Sequence, residues 1–285
     1  MRTSLARLGV FFIGFPLCIG IVVFLPAKNH LAANLLVSAV STFGALEFAE
    51  IIGKKGLGIK KAEALLFGLL PPLSFTLSVS FNFPMLIPVI VIFLLSSWIL
   101  SSNIFCKEQA LEKVIGRISG GLAVLFYPSI FLCWMILINQ LHHSPYLLGF
   151  FITIVIITDS LGWAFGVLFG TGNRGIIPVS PNKSAAGYAG SILGTAAVCA
   201  VAGRFMPEIF AQSRLSPLVS AFIVGFVTAL TSQVGDLVES AVKRSAGVKD
   251  SGRIMPGRGG ILDSVDSLAF AGPFFYFCFR ALLLP

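Results

Sequence analysis

About nine apolar stretches, most near 20 residues long, fill this chain of 285 residues, and nothing constrains its fold more. A bilayer core is about 30 Å thick and takes about 20 apolar residues as a helix. The stretches run at about 8–25, 31–52, 62–80, 84–103, 118–139, 146–170, 185–206, 215–235 and 266–284. Composition agrees: 56% of the residues are hydrophobic and 11% are charged, whereas soluble domains carry about 25% charged residues. The expected fold class is all-α, a polytopic membrane protein of about nine transmembrane helices.

Pro26, Gly53, Pro84, Pro145, Gly172 and Pro181 mark several boundaries between the stretches. No charge run or long linker divides the chain. One integral membrane domain over 1–285 is expected, with N-terminal helices in 1–140 and a catalytic part in 146–285. Arg2 and Arg7 before the first run resemble a signal peptide, but the run can span and no A-x-A site follows, so a retained first helix is expected. With the N-terminus in the cytoplasm, 16 of the 20 Lys and Arg fall on cytoplasmic segments. Lys28, Arg204, Arg214 and Arg280 remain outside. This is the distribution of the positive-inside rule. The net charge of +8 therefore reads as topology, and the short loops that carry it argue against nucleic acid. The five cysteines form no CxxC, and none of the three histidines stands in a metal-ligand pattern.

Against this apolar background, 235–267 is a polar block with four of the five Asp residues and five of the Lys and Arg. Charge costs roughly 2.5 to 3.5 kcal/mol per residue at a bilayer centre, so it concentrates where water or a polar ligand meets it. On the topology above, the block faces the cytoplasm. Residues 235–244 are expected to continue the eighth helix, with Asp236, Ser240 and Lys243 on one face and Arg244 beside it. Pro256, Gly257, Gly259 and Gly260 make a turn. A helix starting near Gly260 puts Asp263 and Asp266 on one face. Glycine admits close backbone approach, and a helix N-terminus favours phosphate. Asp236 and Asp263 are thus expected to form a carboxylate pair for Mg²⁺, which takes one or two carboxylates plus substrate phosphates. The alternative is a solvated loop with helix caps.

The block also resembles the signature of the phosphatidate cytidylyltransferase family, S-x-x-K-R-x4-K-D followed by P-G-H-G-G-x-x-D-R-x-D. Ser240, Lys243, Arg244, Lys249, Asp250, Pro256, Gly257, Gly259, Gly260, Asp263 and Asp266 match it. Arg258 stands where the family has His, and Ser264 where it has Arg. A second segment is similar to the family's D-x-x-G-[YW]-x-x-G and S-P-x-K-T-x-x-G. Asp159, Gly162, Trp163, Gly166, Ser180, Pro181, Lys183 and Gly187 match, Ser184 replaces Thr, and Ala186 replaces a common Glu. The resemblance covers about the last 130 residues, with Glu47 in EFAE as an isolated likeness earlier. Glu47 and Glu50 are left without a role.

Each piece has a plainer reading. Gly162, Gly166 and Gly170 lie at GxxxG spacing, which means close helix packing rather than a dinucleotide site. Lys183 taken alone is a topology charge, and Lys54, Lys55, Lys60 and Lys61 set topology and meet anionic lipid. Asp159 lies mid-span, where a carboxylate points to function.

The resemblance implies that phosphatidate and CTP give CDP-diacylglycerol and pyrophosphate. It implies Asp236 and Asp263 as Mg²⁺ ligands with Asp266 in support. Ser180 and Lys183 would hold CTP phosphates, and Lys243, Arg244 and Lys249 the phosphatidate head group or pyrophosphate. Asp159 would orient the nucleotide or a second cation, and Arg258 would bind phosphate. The implied partners are CTP, phosphatidic acid and membrane lipids in the inner membrane, with no nucleic acid; a homodimer is left open. Two other functions remain. A CTP-dependent polyprenol or phytol kinase would share the helices and CTP but phosphorylate an alcohol. A secondary transporter would use Asp159 as an ion site, although no inverted repeat is visible.

Overall fold

The computed structural model describes residues 14–104, 108–142, 144–255, 257 and 259–283. Among them the regular elements are helices: α1 Phe15–Phe24, α2 Ala27–Gly53, α3 Lys61–Phe81, α4 Leu86–Ser101, α5 Val114–Leu125, α6 Phe131–Ile138, α7 Ser144–Phe169, α8 Ala185–Phe205, α9 Pro217–Ser245 and α10 Leu262–Leu283. Seven helical segments are long and apolar enough to cross a membrane. The protein is an all-α polytopic membrane protein.

The segment count differs from about nine for two reasons. The 84–103 stretch forms α4, a helix of 16 residues, about 24 Å long at 1.5 Å per residue and short of a bilayer core. The first stretch, 8–25, is described only from Gly14 onward. The 118–139 stretch belongs to one crossing, Leu111–Ile138, interrupted by a π-turn over Phe126–Ile130. Pro128 in that turn has no N–H for the α-helical ladder, which accounts for the local widening.

The described residues fall into two compact units, one made of those up to Gln140 with those from Val242 to Val265, the other of those from Leu141 to Ala241 with those from Asp266 onward. The polar block is thereby divided, and its stretch from Val242 to Val265 belongs with the N-terminal helices. In the first unit α2 and α3 pack at Gly68, where a side chain would overlap Ala45 and Thr42. Ser41 Oγ donates to the Gly68 carbonyl at 2.7 Å. A buried polar chain runs alongside: Asn139 Nδ2 donates to Asn34 Oδ1 at 2.7 Å and Asn34 Nδ2 to Ser80 Oγ at 3.1 Å. Small residues and interhelical hydrogen bonds are what hold helices together where lipid removes the hydrophobic drive.

The second unit uses the same devices. Gly187 lies against the Gly162 carbonyl and Gly190 against the Phe165 ring, so the glycine spacing on α7 and α8 serves close packing. Thr158 and Thr195 hydroxyls meet at 3.2 Å between these helices. Gly235 on α9 touches Phe270 and the Asp266 carbonyl on α10. This contact brings the two helices together beside Asp236 and Asp266.

Candidate active site

In the second unit the site is built from the α7–α8 loop and α9. The Ser184 hydroxyl caps α8 by accepting from Gly187 N at 3.0 Å, the usual role of serine at a helix start. The loop closes on itself through Gly175 N to the Lys183 carbonyl at 3.3 Å and Lys183 N to the Ser180 carbonyl at 3.1 Å. This fixes Lys183 just before the cap. Its Nζ donates to Asp236 Oδ2 at 2.7 Å and to Gln233 Oε1 at 3.1 Å. Gln233 and Asp236 are three apart on α9, hence on one face. Gln233 Nε2 in turn donates to Ser191 Oγ at 3.2 Å, and the Lys183 ammonium lies 5.5 Å from the Tyr188 ring centre.

On α10, which packs against α9 at Gly235, Asp266 is buried at 7% exposure. Glu239, three positions beyond Asp236 on α9, is buried as well. Asp159 itself is exposed on α7.

In the first unit the site is the turn before α10. Asp263 sits in the first turn of that helix and accepts four hydrogen bonds. Lys243 Nζ donates to Oδ1 at 2.5 Å, while Ser251 N at 2.8 Å, Ser251 Oγ at 2.8 Å and Gly260 N at 2.7 Å donate to Oδ2. The turn reverses between Met255 and Gly259, paired by backbone bonds of 2.9 and 3.1 Å. Gly257 and Gly259 have φ of 76° and 101°, which side-chain-bearing residues rarely adopt. Pro256 and Arg258 lie outside the described residues. Arg244 and Lys249 are exposed beyond the end of the α9 ion-pair face.

The carboxylates expected to act together, Asp236 and Asp263, thus belong to different units, and each is bonded to a lysine of its own. Among the described residues no group of three or more His, Cys, Asp or Glu is arranged to hold a metal ion. Mg²⁺ does not require one, since it takes one or two carboxylates and completes its shell with water and phosphate. Asp236 and Asp266 offer such hard oxygen donors.

Sequence reasoning left several residues of these clusters out. Glu47 is buried and accepts from Ile261 N at 3.0 Å, Leu262 N at 2.9 Å and Ser251 Oγ at 3.1 Å. Its signal was a carboxylate inside an apolar run; its partners, two backbone amides, leave no mark in a sequence. Gln233, Ser251 and Ser191 carry no charge and gave no signal beside Lys183 and Asp263.

Among known proteins, residues 5–282 match the profile of the cytidylyltransferase family. The chain is similar to the phosphatidate cytidylyltransferase of Mycobacterium leprae, 42% identical over 115 residues, which is 40% of this chain and 34% of that protein. It is similar to the Bacillus subtilis protein of the same name, 40% identical over 128 residues, 45% of each chain. The Staphylococcus epidermidis one is 41% identical over 121 residues, 42% of this chain and 44% of that protein. The aligned part spans less than half the length of each of these relatives. Because the profile takes in nearly the whole chain, this protein belongs to the cytidylyltransferase family.

Proposed function

We propose that this protein transfers the cytidylyl group of CTP to phosphatidic acid, giving CDP-diacylglycerol and pyrophosphate. The observation that carries the reading is the pair of lysine–aspartate contacts, Lys183–Asp236 and Lys243–Asp263, formed between lysines of the two motif segments and carboxylates of the polar block. Paired cations and carboxylates suit a ligand that brings anionic phosphates together with a divalent cation. The family match and the names of the relatives support cytidylyl transfer over phosphoryl transfer to an alcohol.

The nucleophile is a phosphate oxygen of phosphatidate. A phosphomonoester has a second pKa near 6, so it is largely dianionic at neutral pH and needs no general base. The oxygen attacks the α-phosphorus of CTP, and the bond to the bridging oxygen of the β-phosphate breaks, releasing pyrophosphate. Catalysis is then positioning and charge neutralisation. Lys183 moves from Asp236 to the CTP phosphates, with Ser180 beside it in the loop. Lys243, Arg244 and Lys249 receive the phosphatidate head group or the leaving pyrophosphate, and Arg258 adds a planar donor for phosphate. Asp236 and Asp266 would hold Mg²⁺, and Asp263 would take the same part from its motif position. Bound Mg²⁺ supplies charge neutralisation on the phosphates. Asp159 orients the nucleotide or a second cation. The active site faces the cytoplasm from a bacterial inner membrane, with the N-terminus inside, as the lysine and arginine distribution supports.

Purified protein in detergent, given phosphatidate, Mg²⁺ and CTP labelled either in cytidine or in the γ-phosphate, tests this. Cytidine label in the lipid is the expected result. Label from the γ-phosphate instead would identify a lipid kinase, and no label in lipid would overturn both.

A further inference from the structure

Glu47 on α2 holds the entry to α10 from more than 200 positions away. Its Oε1 accepts from Ile261 N and its Oε2 from Leu262 N. These are among the amides that a helix start leaves without an internal partner. The fit is close: a methyl group on Gly252 or Gly260 would overlap the Glu47 carboxylate. Ser251 Oγ lies 3.1 Å from Glu47 Oε2 and 2.8 Å from Asp263 Oδ2. One hydroxyl has one proton, so Ser251 stands between two carboxylates and serves one at a time. Gly260 N, the next amide back, donates to Asp263. The run 260–262 is therefore held by Glu47 on two amides and by Asp263 on the third.

A helix cap alone does not account for this. Local Ser, Thr, Asp or Asn side chains cap helices, and α10 already has Asp263 in its first turn to meet the helix dipole. A second carboxylate, drawn from an apolar span where charge is costly, adds rigidity to the one turn that places Asp263.

We propose that Glu47 is a positioning residue for Asp263, fixing the 251–262 turn so that the Asp263 carboxylate keeps one orientation and the Ser251 hydroxyl is shared between the two acids. Its effect on turnover rests on the cytidylyl-transfer reading. The test uses the full chain in detergent with Glu47→Gln, Glu47→Asp and Ser251→Ala. Backbone hydrogen exchange is measured at Gly260 to Asp263, together with kcat, KM for CTP and the Mg²⁺ concentration giving half-maximal turnover. Glu47→Gln keeps the shape but loses one acceptor. It is expected to speed exchange of the Ile261 and Leu262 amides, and to cost about 10- to 100-fold in kcat or metal requirement, the range for groups that orient a ligand. Glu47→Asp restores part of both. Ser251→Ala raises the metal requirement. Unchanged exchange in Glu47→Gln would overturn the proposal. So would faster exchange with unchanged kcat and metal requirement, which would make Glu47 a simple cap. If Glu47→Gln is not recovered folded, exchange, kcat and metal requirement are measured in Glu47→Asp and Ser251→Ala, where the same changes uphold the proposal and their absence overturns it. A wild type inactive on phosphatidate overturns the substrate reading instead. The exchange comparison then decides the clamp by itself: faster in the variant upholds it, unchanged overturns it.

Discussion

Lys183 and Asp236, 53 positions apart in the chain, meet at 2.7 Å with their side chains about one-third exposed. An ion pair this open contributes little to stability, about 0–1 kcal/mol, so its place in the molecule is better explained by what it binds. Lys183→Met should shift Tm little in detergent while lowering kcat/KM for CTP by about 100-fold or more, the scale of losing one active-site charge stabiliser. Asp236→Asn should do the same to kcat and raise the Mg²⁺ requirement. Near-normal turnover in either variant at limiting Mg²⁺ would remove the pair from the site.

Lys243–Asp263 is more sheltered, with side chains 13% and 9% exposed. Removing the lysine leaves Asp263 with three neutral donors. Lys243→Met should therefore destabilise by about 1.5–3 kcal/mol, the range for hydrogen bonds to charged groups. Adding Asp263→Asn should recover part of that stability and none of the activity. Thermal denaturation of the two variants beside turnover measures both. A double variant as unstable as the single one would contradict the assignment.

The outline of both clusters was legible in the sequence, and their wiring was not. Helical spacing carried α9 past residue 235, and the structure continues it to Ser245. The glycine turn placed a helix start near Gly260, and α10 starts at Leu262. Asp236, Lys243 and Asp263 stood out as charges of the polar block in an apolar chain, and Lys183 only through the family resemblance. Which lysine meets which aspartate depends on how α8, α9 and the 246–261 turn fold, and side-chain type does not encode that. The Glu47 clamp was hidden for a different reason, since its principal partners are main-chain amides. The span count differs at α4, where length is marginal, and at the first stretch, which is described only from Gly14 onward.

Membrane orientation gives a separate prediction. Reporter fusions after Lys55, Lys113, Arg174 and Lys249 should read cytoplasmic, and a fusion near His142 should read the opposite side. A cytoplasmic signal near His142 would contradict the N-inside arrangement drawn from the lysine and arginine distribution.

Arg258 departs from the family's His. Histidine titrates near neutral pH, whereas arginine is always charged and offers a planar fork to phosphate. Arg258→His should retain partial activity. Arg258→Ala should lose about tenfold more and raise KM for a phosphate-bearing substrate, consistent with the loss of a charge-assisted hydrogen bond of about 1.5–3 kcal/mol. An alanine variant equal to wild type would leave Arg258 as a solvated loop charge.

The most direct test of the central claim is a product balance on the purified wild-type protein with CTP, Mg²⁺ and phosphatidate. CDP-diacylglycerol and pyrophosphate should appear in equal amounts, and both should vanish in Asp236→Asn. Pyrophosphate without CDP-diacylglycerol, or a phosphorylated lipid with CDP released, would contradict it.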